Sequence, residues 1–319
     1  MSVSDQGGVS VIMPVYNGVD YLEASIRSII QQEFRDFELI IINDGSTEDV
    51  LSIIGRFSDA RIRVYSRENM GLGRTLNELA SLARGEFIIR MDADDISLPT
   101  RIGEQVAFLK ANSDVSMVGT GISFLVGSVE VSTFSPIMAH KDIMSALRNM
   151  RFSVCHPSIA FRKSSFLAVG GYRIGGAGED LDFFIRMGEV GRLANIGKTL
   201  LLYRLHNASL ALSKEAELNK GYAYALASAK SRAGGRPDLT QEAFERIWKN
   251  RGLKTKLYFL AHNISERLYR SSITSRAQER YPLMVAQIGT AMALRPVATA
   301  ARVKQLLRKC VSSRREQKN

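Results

Sequence analysis

The sequence predicts an α/β protein: a doubly wound mixed sheet over residues 1–212, followed by a helical extension over 213–319. Three observations predict it. Strand and helix patterns alternate through the first half with short turns between them, as parallel strands joined by right-handed crossovers do. The strands are near-continuous apolar runs, which fits a sheet covered on both faces. Residues 14–17, 43–46 and 92–95, polar or acidic for the most part, all fall at the carboxyl ends of strands, where such sheets bind ligands.

The elements follow in order. "VSVIMPVYN" (9–17) is a mostly apolar strand, and "DYLEASIRSIIQQEF" (20–34) then sets Leu22, Ile26, Ile29 and Ile30 at helical spacing. "FELIIINDGS" (37–46) is a second buried strand ending in turn residues, and 48–58 a second helix. "RIRVYSR" (61–67), "GRTLNELASLARG" (73–85) and "EFIIRM" (86–91) continue as strand, helix and strand. Past residue 100 the rhythm changes. "RIGEQVAFLKAN" (101–112) is helical, and "VSMVGTGISFLV" (115–126) is a strand followed by irregular strands to about 135. "SIAFRKSSFLAVGGY" (158–172) predicts a strand and a short helix ending at a glycine pair. "EDLDFFIRMGEV" (179–190) predicts a helix with acids at its favourable N-terminal end, and "KTLLLYRLH" (198–206) a last strand. From 214 onward the pattern is helical, with "GGRP" (234–237) as a break.

Charge divides the chain differently from length. The 319 residues carry 43 Lys/Arg and 32 Asp/Glu, a net of +11. From Glu245 onward there are 17 basic and 4 acidic residues, a net of +13, so the remainder is near neutral at 26 against 28. Two functional zones follow. The two cysteines, Cys155 and Cys310, have no metal or redox spacing and point to a reducing compartment. No basic-then-apolar leader opens the chain and no run reaches the ~18 apolar residues of a membrane span.

"IIRMDADDIS" (88–97) concentrates the chemistry. Ile88, Ile89 and Met91 run into the interior, and the same segment then presents Asp92, Asp94 and Asp95. Carboxylates crowded at a buried strand end repel one another and resist desolvation, so a cation must sit among them. Hard divalent ions of the Mg²⁺ or Mn²⁺ type bind through few carboxylates and leave positions for phosphate oxygens. The neighbouring loops offer what a nucleotide needs. Tyr16 in "PVYNG" gives an aromatic face, Asp44 in "NDGS" an acceptor for a base N–H, and Arg74 a cation near a helix start. Taken singly, Tyr16 reads equally as a packed tyrosine, Asp44 as a turn-former and Arg74 as a solvated helix residue.

"VSVIMPVYN", "DFELIIINDGSTED", "ENMGLGRTLNELASLARGEFIIRMDADD" and "GEDLDFFIRM", in this order, resemble the family 2 glycosyltransferases over residues 9 to 210. That resemblance implies the GT-A fold, with a nucleotide-binding part over about 9–95 and an acceptor part over about 96–212. It also implies inverting transfer of a sugar from a nucleotide donor, expected to be a UDP-sugar, with Mn²⁺ or Mg²⁺ as cofactor. Pro14, Tyr16, Asn17, Asp44, Arg74 and Asp92 are then the expected nucleotide-binding residues, and Asp94 a metal ligand with Asp92 beside it. Among Glu179, Asp180 and Asp182 the family's base corresponds to Asp180, which would accept the acceptor hydroxyl's proton. His156, in a His-Pro pair, is expected on the acceptor side, and His206 near the metal or diphosphate.

The chain also departs from the family pattern. Many relatives have Arg before the asparagine matching Asn77, where this chain has Leu76, with Arg74 two places earlier. The Q-x-x-R-W signature of processive synthases is missing and the only tryptophan is Trp248, which favours adding a single sugar. The resemblance suggests a bacterial enzyme acting on a lipid-linked glycan, lipopolysaccharide or exopolysaccharide precursor at the inner, cytoplasmic face of the membrane. The basic extension would attach it to anionic lipid, or would simply cap the fold; nothing in the chain resembles a nucleic-acid module. Two rival readings are a degenerate nucleotide-sugar-binding or membrane scaffold protein, and a sugar-nucleotide pyrophosphorylase. The second usually carries a glycine- and basic-rich loop after its first strand, which "PVYNGVDYLEAS" does not provide.

Overall fold

The structure, a computed structural model, describes residues 8–173, 178–205, 215–295 and 299. The chain forms two compact units: Met1–Ile122, Pro136–Gly175 and Glu179–Tyr203 make the first; Ser123–Ser135, Gly176–Gly178 and Arg204–Asn319 the second.

In the first unit, β1 (Val9–Val15), β2 (Phe37–Asp44), β3 (Ile62–Arg67) and β4 (Phe87–Arg90) are parallel, and α1 (Val19–Ile30), α2 (Val50–Ile54) and α3 (Leu72–Leu82) connect them. β1 lies in the middle, with Val11 opposite Leu39 on β2 and opposite Ile89 on β4. Val11, Ile12, Met13, Leu39 to Ile42, Ile88 and Ile89 lose all contact with water. The helices cover them with Leu22, Ile26 and Ile29 of α1 and Leu76 and Leu79 of α3, also fully buried. Each such side chain contributes about 1.5–3 kcal/mol of burial free energy, so this apolar slab sets where the strand ends lie.

Beyond β4 the sheet turns mixed. β5 (Ile96–Ser97), α4 (Arg101–Ala111), β6 (Val115–Val126), β7 (Val129–Phe134), α5 (His140–Arg148), β8 (Ala160–Arg162), α6 (Lys163–Ala168), α7 (Glu179–Val190) and β9 (Arg192–Arg204) follow in the chain. The strand order is β3-β2-β1-β4-β8-β6-β9-β5, with β4–β8, β8–β6 and β9–β5 antiparallel.

β5, α5 and β9 differ from the sequence pattern, the two-residue β5 having no predicted counterpart. α5 occupies a stretch with no predicted element; its short apolar set, Ile143, Met144, Ala146 and Leu147, is buried where α5 packs against α7, with Met144 beside Gly188. β9 starts at Arg192, not near 198, because its first residues alternate between exposed and buried instead of forming an apolar run.

In the second unit β7 pairs with β6, and four helices follow: α8 (Glu215–Ala233), α9 (Gln241–Lys249), α10 (Leu253–Ala277) and α11 (Tyr281–Leu294). α8 stops at the expected glycine pair, where Gly235 takes φ +71, and the Thr240 side chain accepts from Ala243 N at 3.2 Å to cap α9. Trp248 locks the α9–α10 corner: it stacks on Phe244 at 6.0 Å, meets Phe259 edge-on at 5.4 Å, and lies 3.9 Å under the Arg251 guanidinium. No described helix is long and apolar enough to cross a membrane. The basic segment after Arg295, apart from Thr299, lies outside the described residues.

Candidate active site

The ends of β1 and β2 are tied into one surface. Asn17, at φ 58, accepts from Thr47 N at 2.8 Å through Oδ1, while its own N–H donates to Ser46 Oγ at 2.8 Å. Tyr16 beside it is 56% exposed, an aromatic side chain open to water, and Pro14 is half-buried. Asn17 therefore acts as a brace between the two loops, and Tyr16 is the group available for stacking.

Asp44 is buried at the end of β2 and gathers the 67–71 segment. Its Oδ1 accepts from Met70 N at 2.8 Å and from the Arg67 guanidinium; Oδ2 accepts from Gly71 N at 3.0 Å. Two acceptor sites per oxygen leave Oδ2 with one to offer a base N–H. The close approach needs a glycine: Gly45 sits at φ +70, and a Cβ there would stand 2.5 Å from Asn69 N. Arg74 is exposed in the first turn of α3.

At the end of β4 the carboxylates of Asp92, Asp94 and Asp95 offer oxygens within 4.8 Å of one another. Two arginines answer the demand for a cation. Arg90, 2% exposed, forms a two-bond pair with Asp92: Nη2 to Oδ1 at 2.7 Å and Nη1 to Oδ2 at 3.1 Å. Arg101, fully buried, donates through Nη2 to the Arg90 and Pro157 carbonyls at 2.6 and 2.7 Å, and through Nε to Gln105 at 3.0 Å. Burial pushes the Arg101 pKa down to about 10 against the opposing charge of Asp95, so it stays protonated at neutral pH. Burial also raises the Asp92 pKa; Arg90 opposes that rise and the Asp94 charge adds to it. Three carboxylates against two guanidiniums leave this end of β4 one negative charge in excess. Hard oxygen donors, Asp92 and Asp94 partly open to water, and an uncompensated charge fit a Mg²⁺- or Mn²⁺-type ion.

A second acidic group stands at the start of α7. Glu179 and Asp180 are half-buried in its first turn. Asp182 is different: it is buried and bound by Arg186 at 2.7 and 2.8 Å and by Arg173 at 3.2 Å. Both its burial and its two guanidinium partners make it a brace for α7.

Tyr172 joins the two acidic groups. Burial raises its phenol well above the ordinary value; Arg90 opposes this, while Glu179, Asp180 and Asp92 add to it, so both sets of acids act on one ring. Phe183 of α7 stacks on that ring at 4.2 Å. Asn77 of α3 holds the Tyr172 backbone from both sides, donating to its carbonyl at 2.7 Å and accepting from its N–H at 2.8 Å. The phenol shares a 2.8 Å hydrogen bond with His156 Nε2. Burial and then the Arg90 charge hold the His156 pKa well below its usual value, so the ring is neutral. His206 lies outside the described residues.

The residue patterns do not single out Arg67, Arg90, Arg101 or Tyr172. A signal existed for Arg90, which stands two residues before Asp92 and so on the same face of an extended segment. Arg101 had a weaker one, sharing a helix face with Ile102, Gln105 and Leu109.

The model of glycosyl transferase family 2 matches residues 10–170. An O-antigen biosynthesis glycosyltransferase of Escherichia coli, WbnJ, is 35% identical over 209 residues, 63% of this chain and 81% of its own. A putative glycosyltransferase of Bacillus subtilis, EpsE, is 35% identical over 191 residues, 57% of this chain and 67% of its own. Among solved structures, residues 1–349 of S. aureus TarS in complex with UDP-GlcNAc superpose with a TM-score of 0.56 at 17% identity, over 94% of this chain and 88% of that one. A mannosyltransferase from Pyrobaculum calidifontis, solved with GDP-Man and Mn²⁺, gives 0.53 at 17% identity, over 94% and 79%. The solved structures share the fold.

Proposed function

The chain belongs to glycosyl transferase family 2, and from that premise we propose that it transfers one sugar, with inversion, from a UDP-sugar to a hydroxyl of a lipid-linked glycan or a lipopolysaccharide or exopolysaccharide precursor. The observation that carries this reading is that two acidic groups, Asp92–Asp94–Asp95 at the end of β4 and Glu179–Asp180 at the start of α7, both lie near enough to one tyrosine, Tyr172, for their charges to act on it. Leaving-group stabilisation and proton abstraction need opposite sides of a sugar, and this site has an acid set for each.

Tyr16 stacks on the base, and the remaining acceptor site of Asp44 Oδ2 takes its N–H. Pro14 and Asn17 shape that edge, and Asp92, oriented by Arg90, borders the ribose or donor sugar. Arg74 and the N–H groups that open α3 meet the diphosphate. A divalent cation, when bound by Asp94 with Asp92 beside it, would neutralise the charge that grows on the departing diphosphate. Asp180 takes the proton as the acceptor oxygen attacks the anomeric carbon, with Glu179 beside it and Asp182 fixing the helix. His156, neutral and bonded to Tyr172, lines the acceptor side. WbnJ's role in O-antigen biosynthesis supports an envelope glycan as acceptor. The net charge of +13 from Glu245 onward supports peripheral attachment at the cytoplasmic face of the membrane, where such an acceptor would be met.

The test is a panel of nucleotide sugars read by thermal stabilisation with Mn²⁺ or Mg²⁺, then by release of nucleoside diphosphate. One UDP-sugar should stabilise the protein and be turned over. Stabilisation without any turnover, with or without candidate acceptors, would support a binding protein instead.

A further inference from the structure

α10 has an apolar stripe on the side away from its packing. Phe259, His262 and Tyr269 are buried along one face of the helix. Leu253, Leu257 and Leu260, spaced i, i+4 and i+7, lie on the opposite face and are 70%, 53% and 55% exposed. Charge surrounds them. Between Arg246 and Leu260 stand five basic residues and no acidic one, and Arg246, Lys249, Lys254 and Lys256 are all exposed. The corner that presents this patch is stiffened by Trp248 packed on Phe259.

We infer that the first two turns of α10, with the end of α9, form a docking face for an anionic bilayer surface. Two requirements select that partner. A nucleic acid would satisfy the five cations and leave three leucines in water. An apolar protein groove would take the leucines and desolvate the cations. A bilayer with anionic headgroups satisfies both at once, leucines entering the acyl boundary while Lys and Arg stems reach up to the phosphates. With no described helix able to span, the helix lies on the membrane. The inference rests on peripheral attachment as proposed above and places its main contact at residues 246–260, within the basic region that begins at Glu245.

Trp248, the only tryptophan, sits at this corner and reports on it directly. With full-length protein at low salt, vesicles of three parts phosphatidylcholine to one of phosphatidylserine should shift its emission to the blue, and brominated lipid should quench it. Pure phosphatidylcholine should do neither, and ~0.5 M salt should release the protein. Lys249→Gln, Lys254→Gln and Lys256→Gln together should weaken co-sedimentation about 10²-fold, roughly fivefold per residue from ~1 kcal/mol each. Leu253→Ser, Leu257→Ser and Leu260→Ser together, all at exposed positions, should weaken it at least as much as the lysine set while leaving turnover of a soluble acceptor unchanged. Neutralising Arg302, Lys304, Arg308 and Lys309 to Gln should matter less. If the leucine variant binds like wild type, or wild-type Trp248 is not quenched, this face is not the contact. A leucine-dependent dimer that does not bind vesicles would identify a second copy as the occupant and overturn the inference. Vesicle binding without any sugar transfer would instead overturn the transferase assignment and leave this face standing.

Discussion

Arg90 and Asp92, two residues apart at the end of β4, face each other in a two-bond ion pair in which the guanidinium is 2% and the carboxylate 27% exposed. The chain thus supplies its own cation beneath the acidic loop, with Arg101 as the next layer down. An acidic strand end can then fold before any metal or donor arrives. Asp92 is fixed in direction by Arg90, while Asp94 stays partly open to water at the rim.

Asp92→Asn should therefore cost stability. It leaves the buried Arg90 guanidinium without its main partner, and breaking such a pair by removing one member costs about 3 kcal/mol, the low end because Asp92 is partly exposed. Urea unfolding would measure this. A loss under about 0.5 kcal/mol would mean that Asp95 or water replaces Asp92 without penalty.

Asp94→Asn should behave in the opposite way, as Asp94 stands at the partly exposed end of the cluster. The protein should melt at nearly the wild-type temperature, yet lose Mn²⁺-dependent stabilisation by a UDP-sugar and nearly all turnover. Titration calorimetry of Mn²⁺ alone, without donor, gives a readout independent of activity. Unchanged Mn²⁺ affinity in the variant would remove Asp94 from the metal site.

His156 gives a pH test. Its pKa is held well below the usual value by burial and Arg90, whereas in the unfolded chain it is about 6.5. Above 6.5 neither state binds the proton. Below it the unfolded state binds one that the folded state refuses, so stability is lost as pH falls from 6.5 toward the folded pKa, by up to about 1.4 kcal/mol per pH unit. Denaturant midpoints at pH 7.5, 6.5 and 5.5 should show a shallower decline for His156→Gln than for wild type. Parallel declines would show that other groups account for the acid loss.

Much of this was legible in the sequence where the signal was local. The apolar runs that become β1, β2 and β4 cannot rest anywhere but a covered sheet, and the acids after Met91 could not be core. What was not legible depended on contacts far apart in the chain. Asn77 and Tyr172 are 95 residues apart, yet the asparagine amide pairs with that one peptide unit as a strand neighbour would. By residue type alone Asp182 was as open a candidate as Asp180, and its partners Arg173 and Arg186, 9 residues before it and 4 after, mark it as a brace. The antiparallel pairing of β8 between β4 and β6 left no mark in residue type, because a fully buried strand reads alike in either direction.

That contrast within α7 yields the last prediction. Asp180 and Asp182 are two residues apart on one helix, so they point in directions about 200° apart. Asp182 turns to the interior and to Arg186; Asp180, half-buried, lies near enough to Tyr172 for its charge to act on the phenol. Asp180→Asn removes a proton acceptor while keeping size and helix start, so donor binding and melting temperature should persist and transfer should fall by about 10²–10⁴. The loss should appear in kcat with little change in the donor KM, since the base acts only as the acceptor oxygen attacks. Asp182→Asn should show the reverse pattern: it leaves Arg186 and Arg173 short of their counter-ion, so the melting temperature should drop and activity should follow the folded fraction. If instead Asp182→Asn stays stable and loses kcat while Asp180→Asn transfers normally, the base assignment moves two residues along the helix.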